Sequence, residues 1–240
     1  MHTQQEKITA RPILFTPDMV RAILDRRKTQ TRRIIKLRDG SLPDDDSIST
    51  HLDGTFDKVM DFSKTFPHWQ ELKCPYGTPG DHLWVRETYL QWQYRDGEKG
   101  EIAYLDDPNI EALKRDMENL KKQKNTGNWR VIPSIHMPRA ASRILLEITH
   151  IRAQRLHDIT EADAIAEGIH YTTPNSGPNR YYDNYHTGRW MEAEMLNNPI
   201  ASYRTLWETI NGPHSWEQNP WVWAITFKNL ASPNPASGIS

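Results

Sequence analysis

The sequence predicts an α+β domain built around a curled, mostly antiparallel sheet. Segments of alternating hydrophobicity at 82–88, 143–151 and 221–227 indicate strands, and single helices and turns separate them. The chain shows none of the glycine patterns of dinucleotide-binding or phosphate-binding loops. Its 240 residues, of which 37% are hydrophobic, suffice for a buried core, so we expect one domain with insertions.

The first predicted element is a helix that begins at Thr16. The threonine caps the first turn, and Pro17 takes the first helical position, where its missing N–H has no consequence. We expect the helix to end near Arg26 or Arg27, so that it delivers a basic run into a turn. Its apolar stripe consists of Val20, Ile23 and Leu24.

Two segments that follow are expected to be insertions. The stretch 39–72 is polar and has no periodicity, which predicts a loop or an insertion. The turn at 76–81 then leads into the first of the three strands. After that strand, a charged helix is expected to begin at Asp107 and to end at 125–128. It belongs to an expected insertion near 96–128 that packs outside the core.

A second strand and a short helix come next. The alternation of Ile144, Leu146 and Ile148 is the clearest strand pattern in the chain. Asp158 has the spacing of a capping box with Glu161, and we expect the helix that it starts to end near Gly168.

The last third of the chain begins with a second irregular excursion at 170–200, which is rich in tyrosine. Ser202 is then expected to cap a helix that stops at 211–213, ahead of the third strand. The domain is therefore expected to span 11–230. We expect the tail at 231–240 to be disordered.

Composition limits the classes of function. The formal net charge of -1 argues against a protein that coats nucleic acid by bulk electrostatics, so any such contact must be local. The single cysteine, Cys74, excludes an internal disulfide, and the ten histidines show no metal-binding spacing. No stretch approaches the roughly 20 apolar residues that span a bilayer. We expect a cytoplasmic protein with no metal, no cofactor and no membrane partner.

The positive charge is concentrated in one segment, since residues 21–38 hold eight basic side chains against only Asp25. Cations just beyond a helix C-terminus interact favourably with its unpaired carbonyls. This structural role accounts for one or two of the eight basic side chains. A lysine that shares a pocket with arginines is instead pushed towards its neutral form, which can take a proton from a hydroxyl. Lys28 and Thr31 are three apart and could meet across a turn.

At this segment the sequence resembles the ASCH domain family, whose fold is related to the PUA RNA-binding barrel. The family motif Gly-x-Lys-x-x-x-x-Arg corresponds to 26–33, where Lys28 and Arg33 match and Arg26 replaces the glycine. The resemblance implies a small PUA-like β-barrel, formed by the three predicted strands and flanked by helices. It is closest to large phage and prophage members, through the motifs at 76–81, 83–87 and 135–139.

The resemblance also implies a reaction. A small bacterial member of the family is an amidohydrolase that removes the acetyl group from N(4)-acetylcytidine with a lysine, a threonine and a glutamate. These roles fall on Lys28, Thr31 and Glu167. Lys28 would activate Thr31 or position a water, and Glu167 would carry the proton to the leaving amine. Asp163 and Glu167 share one side of their helix, so Glu167 can face a pocket, although a solvated carboxylate is the alternative.

Six further residues are expected to bind the substrate. Arg33 would orient the base or stabilise an oxyanion. His136 and Arg139 could bind a phosphate or line the pocket, and a buried or capping role is the alternative for the histidine. The full set is Arg27, Arg32, Arg33, Arg86, His136 and Arg139.

Two functions from different classes remain open. The first is an ASCH-type hydrolase that acts on a modified nucleoside or on RNA. The second is a non-catalytic module that binds RNA or DNA through the same basic pocket. The excursion at 170–200 could form a surface that binds single-stranded nucleic acid. The alternative is a folded flap held by aromatic packing. The expected partner is a nucleoside or a single-stranded RNA or DNA.

Overall fold

A computed structural model gives the fold of most of the chain. The charged helix expected at 107–127 lies almost entirely outside the described residues, and the expected tail at 231–240 lies outside them altogether. No helix within the described ranges has the length and apolar character needed to cross a membrane. The described residues are 8–37, 40, 42–43, 48–50, 56–61, 68–71, 73–94, 97–106, 115, 127–173, 180–186 and 196–230.

The fold combines several sheets with a few helices, which confirms the α+β prediction. The helices with described bounds are α1 (Pro17–Leu24), α2 (Glu161–Ala166) and α3 (Pro199–Asn211). The strands are β1 (Ala10–Leu14), β2 (Gln30–Ile34), β3 (Ile48–Thr50), β4 (Phe56–Asp61), β5 (His68–Glu71), β6 (His82–Arg86), β7 (Tyr89–Gln93), β8 (Lys99–Tyr104), β9 (Asn128–Ile132), β10 (Leu145–Arg155), β11 (Tyr171–Thr172), β12 (Tyr181–Tyr182) and β13 (Trp221–Asn229).

The main sheet has five strands in the order β1-β6-β10-β13-β2. Only β1 and β6 run parallel, and the other three pairs are antiparallel. The three strands that the sequence predicts are therefore neighbours at the centre of this sheet, and β1 and β2 are its outer strands. β10 ends four residues later than its hydrophobic alternation indicates, because it pairs with β13 as far as Arg155.

Smaller sheets occupy parts of the expected insertions. The segment 39–72, expected to be a loop or an insertion, contains the antiparallel sheet β3-β4-β5. Its strands are only three to six residues long and mix apolar with polar residues without regular alternation, so the sequence does not predict them. The antiparallel sheet β8-β7-β9 flanks the gap at 107–126, and β11 pairs with β12 inside the excursion at 170–200.

Helix α1 begins as its sequence predicts. Thr16 is the N-cap, and its side chain accepts a hydrogen bond from the Met19 amide. The helix ends through Arg26, whose φ of 60° lies in the left-handed region. The Arg27 and Lys28 amides then both donate to the carbonyl of Ala22, so the chain turns sharply away from the helix axis.

The other two helices begin at residues that differ from those predicted. α2 is capped by Thr160, which exchanges hydrogen bonds with Asp163, whereas Asp158 closes a preceding 3₁₀ turn. α3 is capped by Asn198 rather than Ser202, whose buried hydroxyl donates to the Asp183 carbonyl. In both cases several residues that can cap stand close together, and local spacing does not distinguish between them.

The core lies on both faces of the main sheet. On one face, Trp223 and Ile225 of β13 pack against α1 and Phe15. On the other, Val222 packs with Ala164 of α2 and with Tyr203 and Trp207 of α3. Because side chains alternate along β2 as well, residues opposite Trp223 and Ile225 share the first face, and those between them share the second. This alternation divides the basic run of β2 between two environments.

We expect the substitution Arg26→Gly to stabilise the protein. The left-handed conformation disfavours a residue with a side chain, so glycine should raise the free energy of unfolding by roughly 0.5–1 kcal/mol. Urea denaturation measures the change. Arg21→Gly, inside the same helix, is the matched control and should lower the free energy by about 1 kcal/mol. Equal destabilisation by both substitutions would contradict the role assigned to Arg26.

Candidate functional site

Two buried and oppositely charged side chains meet near the centre of the molecule. Lys28 Nζ lies 2.8 Å from Glu167 Oε2, although 139 positions separate the residues in the chain. The Lys28 side chain is fully buried, and that of Glu167 is 2% exposed. Glu167 is therefore not a solvated carboxylate, and the structure brings two of the three expected catalytic residues into direct contact.

The backbone around this pair explains how the contact forms. After α1 the chain runs beside the end of α2, where Lys28 and Glu167 form an isolated β-bridge and the Thr29 amide donates to the Ala166 carbonyl at 2.8 Å. Gly168 follows with a φ of 85°. A Cβ on Gly168 would come within 2.6 Å of the Lys28 Cβ, so only glycine allows this close approach.

Arg32 joins the pair through its guanidinium, which is also fully buried. Its Nη1 donates to Glu167 Oε1 at 3.1 Å and to Gln30 Oε1 at 2.6 Å. Its Nη2 lies 3.1 Å from Asp163 Oδ2 in an ion pair. Two cations thus face two carboxylates, with Asp163 also paired with the half-exposed Arg152. We refer to Lys28, Gln30, Arg32, Asp163 and Glu167 as the buried charge cluster.

Tyr203 of α3 covers the cluster on the side away from α1. Arg32 lies over its ring at 5.9 Å from the centroid. Burial, followed by the negative charge of Glu167, raises the pKa of the Tyr203 hydroxyl well above its usual value. The phenol therefore stays protonated, and it closes the cluster with a neutral group.

The amine of Lys28 is fully bonded in its protonated form. It donates to Glu167 Oε2, to the Glu167 carbonyl and to the Gln30 carbonyl, each at 2.8 Å. Burial lowers the pKa of Lys28, and the adjacent Glu167 carboxylate opposes that shift. The amine and the carboxylate are in hydrogen-bonding contact, which is the geometry that proton transfer between two groups requires.

Thr31, the third expected catalytic residue, lies on the opposite face of β2 from Gln30 and Arg32. It is 1% exposed and stands opposite Ile225 in the register. Within the described residues, no hydrogen bond joins Thr31 to Lys28. The turn that was expected to bring these two side chains together instead continues directly into an extended strand, which separates them.

A cavity of about 530 Å³ lies beside the cluster. Arg33 and Arg86 both line it, as does the Phe15 ring. Lys28 Nζ lies 5.6 Å from the centroid of that ring, and the Arg33 guanidinium lies 5.2 Å from it. The ring therefore places the buried amine next to the cavity. A volume of this size is in the range of pockets that hold small molecules.

The other expected substrate-binding residues lie apart from this cavity. Arg27 donates to the Gly168 carbonyl at 3.0 Å and pairs with Asp25, which helps to fix the end of α1. His136 is exposed beside β7 and β9, and it lines a second cavity of about 370 Å³. Arg139 is exposed and lies 5.8 Å from the Trp84 ring. The structure thus does not bring these three together with Lys28.

Sequence reasoning did not identify three contributors to the site. Gln30 belongs to the cluster, Tyr203 packs against Arg32, and Phe15 lies near Lys28 and lines the cavity. Phe15 and Tyr203 carry an apolar pattern that predicts only packing. Gln30 stands two residues before Arg32, so its position on the Arg32 face of β2 is the one signal that sequence could have supplied.

Comparison with known proteins yields no match, whether with protein families, curated proteins or solved structures. Within the described part of the chain, no three His, Cys, Asp or Glu side chains are grouped so as to hold a metal ion. The chemistry of the site is therefore argued from its own residues.

We expect Lys28→Met to destabilise the protein strongly, because it leaves the Glu167 carboxylate buried with Arg32 as its only cation. Breaking one partner of a buried pair typically lowers the free energy of unfolding by about 3–5 kcal/mol. Adding Glu167→Gln should recover much of this loss, since the buried charge is then removed. Urea denaturation of the single and double variants measures both effects.

Lys228→Met is the control for this series, since Lys228 forms a surface ion pair with Glu147 and is 58% exposed. It should change the free energy of unfolding by less than about 1 kcal/mol. If the double variant loses as much free energy of unfolding as Lys28→Met and Glu167→Gln lose together, Lys28 and Glu167 act independently. That result would contradict the observed contact.

Proposed function

We propose that this protein is an ASCH-type hydrolase that acts on a modified nucleoside or on RNA and releases an acyl group from an exocyclic amide, as in N(4)-acetylcytidine. The observation that carries the proposal is the contact between Lys28 Nζ and Glu167 Oε2, next to a cavity of nucleoside size. The family resemblance supplies the reaction type. The five-stranded main sheet, which is open in the described residues with β1 and β2 at its edges, would correspond to the PUA-like barrel of that family.

The site supports hydrolysis by an activated water better than attack by Thr31. Lys28 contacts Glu167, whereas Thr31 lies on the other face of β2. In this scheme Glu167 accepts a proton from the water as the water oxygen bonds to the acyl carbon. The Lys28 ammonium stabilises the oxyanion that forms. Glu167 then delivers the proton to the amine nitrogen as the C–N bond breaks, leaving a carboxylic acid and the free base.

Access to Lys28 requires a movement of Phe15. The amine is fully buried and does not line the cavity, whereas the Phe15 ring lines the cavity and lies 5.6 Å from the amine. A rotation of this ring would expose the Lys28–Glu167 pair to a bound amide. The ring would then stack against the substrate, since an aromatic face suits a planar base.

The alternative is a module that binds RNA or DNA without catalysis. One observation favours it: Trp84 is approached by two guanidiniums, that of Arg86 at 5.6 Å and that of Arg139 at 5.8 Å. A half-exposed indole with adjacent cations is a common surface for single-stranded nucleic acid. In that case Lys28 would be structural, in accord with its three hydrogen bonds.

We expect the purified protein to release acetate from N(4)-acetylcytidine, and Glu167→Gln to lower kcat by at least about 100-fold. The amide keeps the shape of the side chain but cannot transfer the proton, and general acid–base catalysis typically contributes factors of this size. Release of acetate and cytidine is followed by chromatography. Circular dichroism and thermal unfolding check that the variant is folded.

Glu147→Gln is the matched control, because Glu147 lies on β10 in a surface ion pair and should leave the rate unchanged. If the wild-type protein releases no acetate but binds single-stranded RNA, and Trp84→Ala weakens that binding, the binding module is the better assignment. An unchanged rate in Glu167→Gln would exclude Glu167 as the proton carrier.

A further inference from the structure

The cavity beside the buried charge cluster holds two positive charges that nothing neutralises within the described residues. Arg33 donates from Nη2 to the Leu14 carbonyl at 2.7 Å, and Arg86 donates to the Ile135 carbonyl. Neither guanidinium has a carboxylate partner in the described part of the chain. No acidic residue is among those that line the cavity.

This arrangement contrasts with that of Arg32 and Arg143, two other arginines that are buried or half-buried. Arg32 contacts two carboxylates in the cluster, and Arg143 holds Glu87 through two hydrogen bonds of 2.9 Å. A cation taken partly out of water is normally compensated in this way. Arg33 and Arg86 are not, although they approach the same cavity from β2 and β6, which lie at different positions in the sheet.

Arg86 has a further unsatisfied group. Its Nε is buried and has no hydrogen-bond partner within the described residues. A buried N–H without a partner is unfavourable, and a ligand oxygen would remove that penalty. Guanidinium groups bind phosphate oxygens through paired hydrogen bonds. Hydroxyl groups that could donate to further oxygens also line the cavity, those of Thr16, Tyr76, Thr88 and Ser134.

We propose that Arg33 and Arg86 form a binding site for a phosphate monoester, so that the ligand of this cavity is a nucleoside 5′-monophosphate or the phosphorylated end of an RNA rather than a free nucleoside. The inference deepens the proposed function, on which it rests for the nucleoside part of the ligand. Arg33 and Lys28 approach the same Phe15 ring, at 5.2 Å and 5.6 Å from its centroid, which puts the phosphate site close to the reacting group.

Binding of cytidine and of cytidine 5′-monophosphate to the full chain, measured by isothermal titration calorimetry, tests the proposal. The monophosphate should bind roughly tenfold to a hundredfold more tightly, the range expected for charged hydrogen bonds. Inorganic phosphate should compete with it. Arg33→Gln and Arg86→Gln should each reduce the affinity for the monophosphate to that for cytidine. Arg33→Lys and Arg86→Lys, which keep the charge, should retain part of the preference.

Arg21→Gln is the matched control, because Arg21 is half-exposed on α1 and pairs only with Asp18. It should leave the preference unchanged. Short oligocytidylates with a 5′-phosphate or a 5′-hydroxyl distinguish the two sources of phosphate. If the phosphorylated RNA binds more tightly than the monophosphate, the ligand is an RNA end, and otherwise it is a nucleotide. Equal binding of cytidine and its monophosphate overturns the proposal, and so does a preference for the monophosphate that survives both glutamine variants. The proposal is also overturned if the protein binds neither cytidine 5′-monophosphate nor the 5′-phosphorylated oligocytidylate.

Acetate release separates this proposal from the hydrolase assignment. If the preference for the monophosphate depends on Arg33 and Arg86 but neither acetylated cytidine nor its monophosphate is hydrolysed, the phosphate site stands and the hydrolase assignment fails. If both compounds are hydrolysed with equal kcat/KM, the hydrolase stands and the phosphate site is overturned.

Discussion

The ion pair between Lys28 and Glu167 is the constraint on which the centre of this fold depends. It joins the chain that leaves α1 to the end of α2, and the backbone bridge between the same two residues strengthens the link. Because both groups are removed from water, neither can be left alone without a large penalty. The left-handed turn at Arg26 and the glycine at position 168 both serve this approach, the first by directing the chain and the second by leaving room for it.

The cluster around the pair is electrically balanced, and this balance shapes its chemistry. Arg32 and Asp163 extend the pair to two cations and two anions, so the cluster gains little from binding another charged group. The same packing lowers the pKa of Lys28. Perturbed pKa values beside a cavity are frequent in active sites, and they also occur in purely structural networks. What favours catalysis here is the position of the amine next to the Phe15 ring that lines the cavity.

Local patterns in the sequence predicted the start of α1 and the three central strands of the main sheet, but not its outer strands β1 and β2 or the whole site. Thr16 and Pro17 mark the start of α1, and alternating hydrophobicity locates β6, β10 and β13, because these signals depend on neighbouring residues. The contact between Lys28 and Glu167 followed from family resemblance. Asp163 was recognised only as a neighbour of Glu167. The partnership of Gln30 with Arg32 was not predicted, because the sequence analysis did not predict the strand β2, which places both side chains on one face. Pairing across distant segments leaves no local periodicity.

The alternation of side chains along β2 explains how one basic run can serve two purposes. Arg32 points to the face of α2 and α3, where carboxylates neutralise it, and Arg33 points to the face of α1, where it lines the cavity without such a partner. A shift of one residue in the register with β13 would exchange the two environments, placing Arg33 on the face of the carboxylates and Arg32 on the face of the cavity. Adjacent arginines in this strand are therefore not equivalent. One completes the interior of the protein, and the other is left with its positive charge available to a ligand.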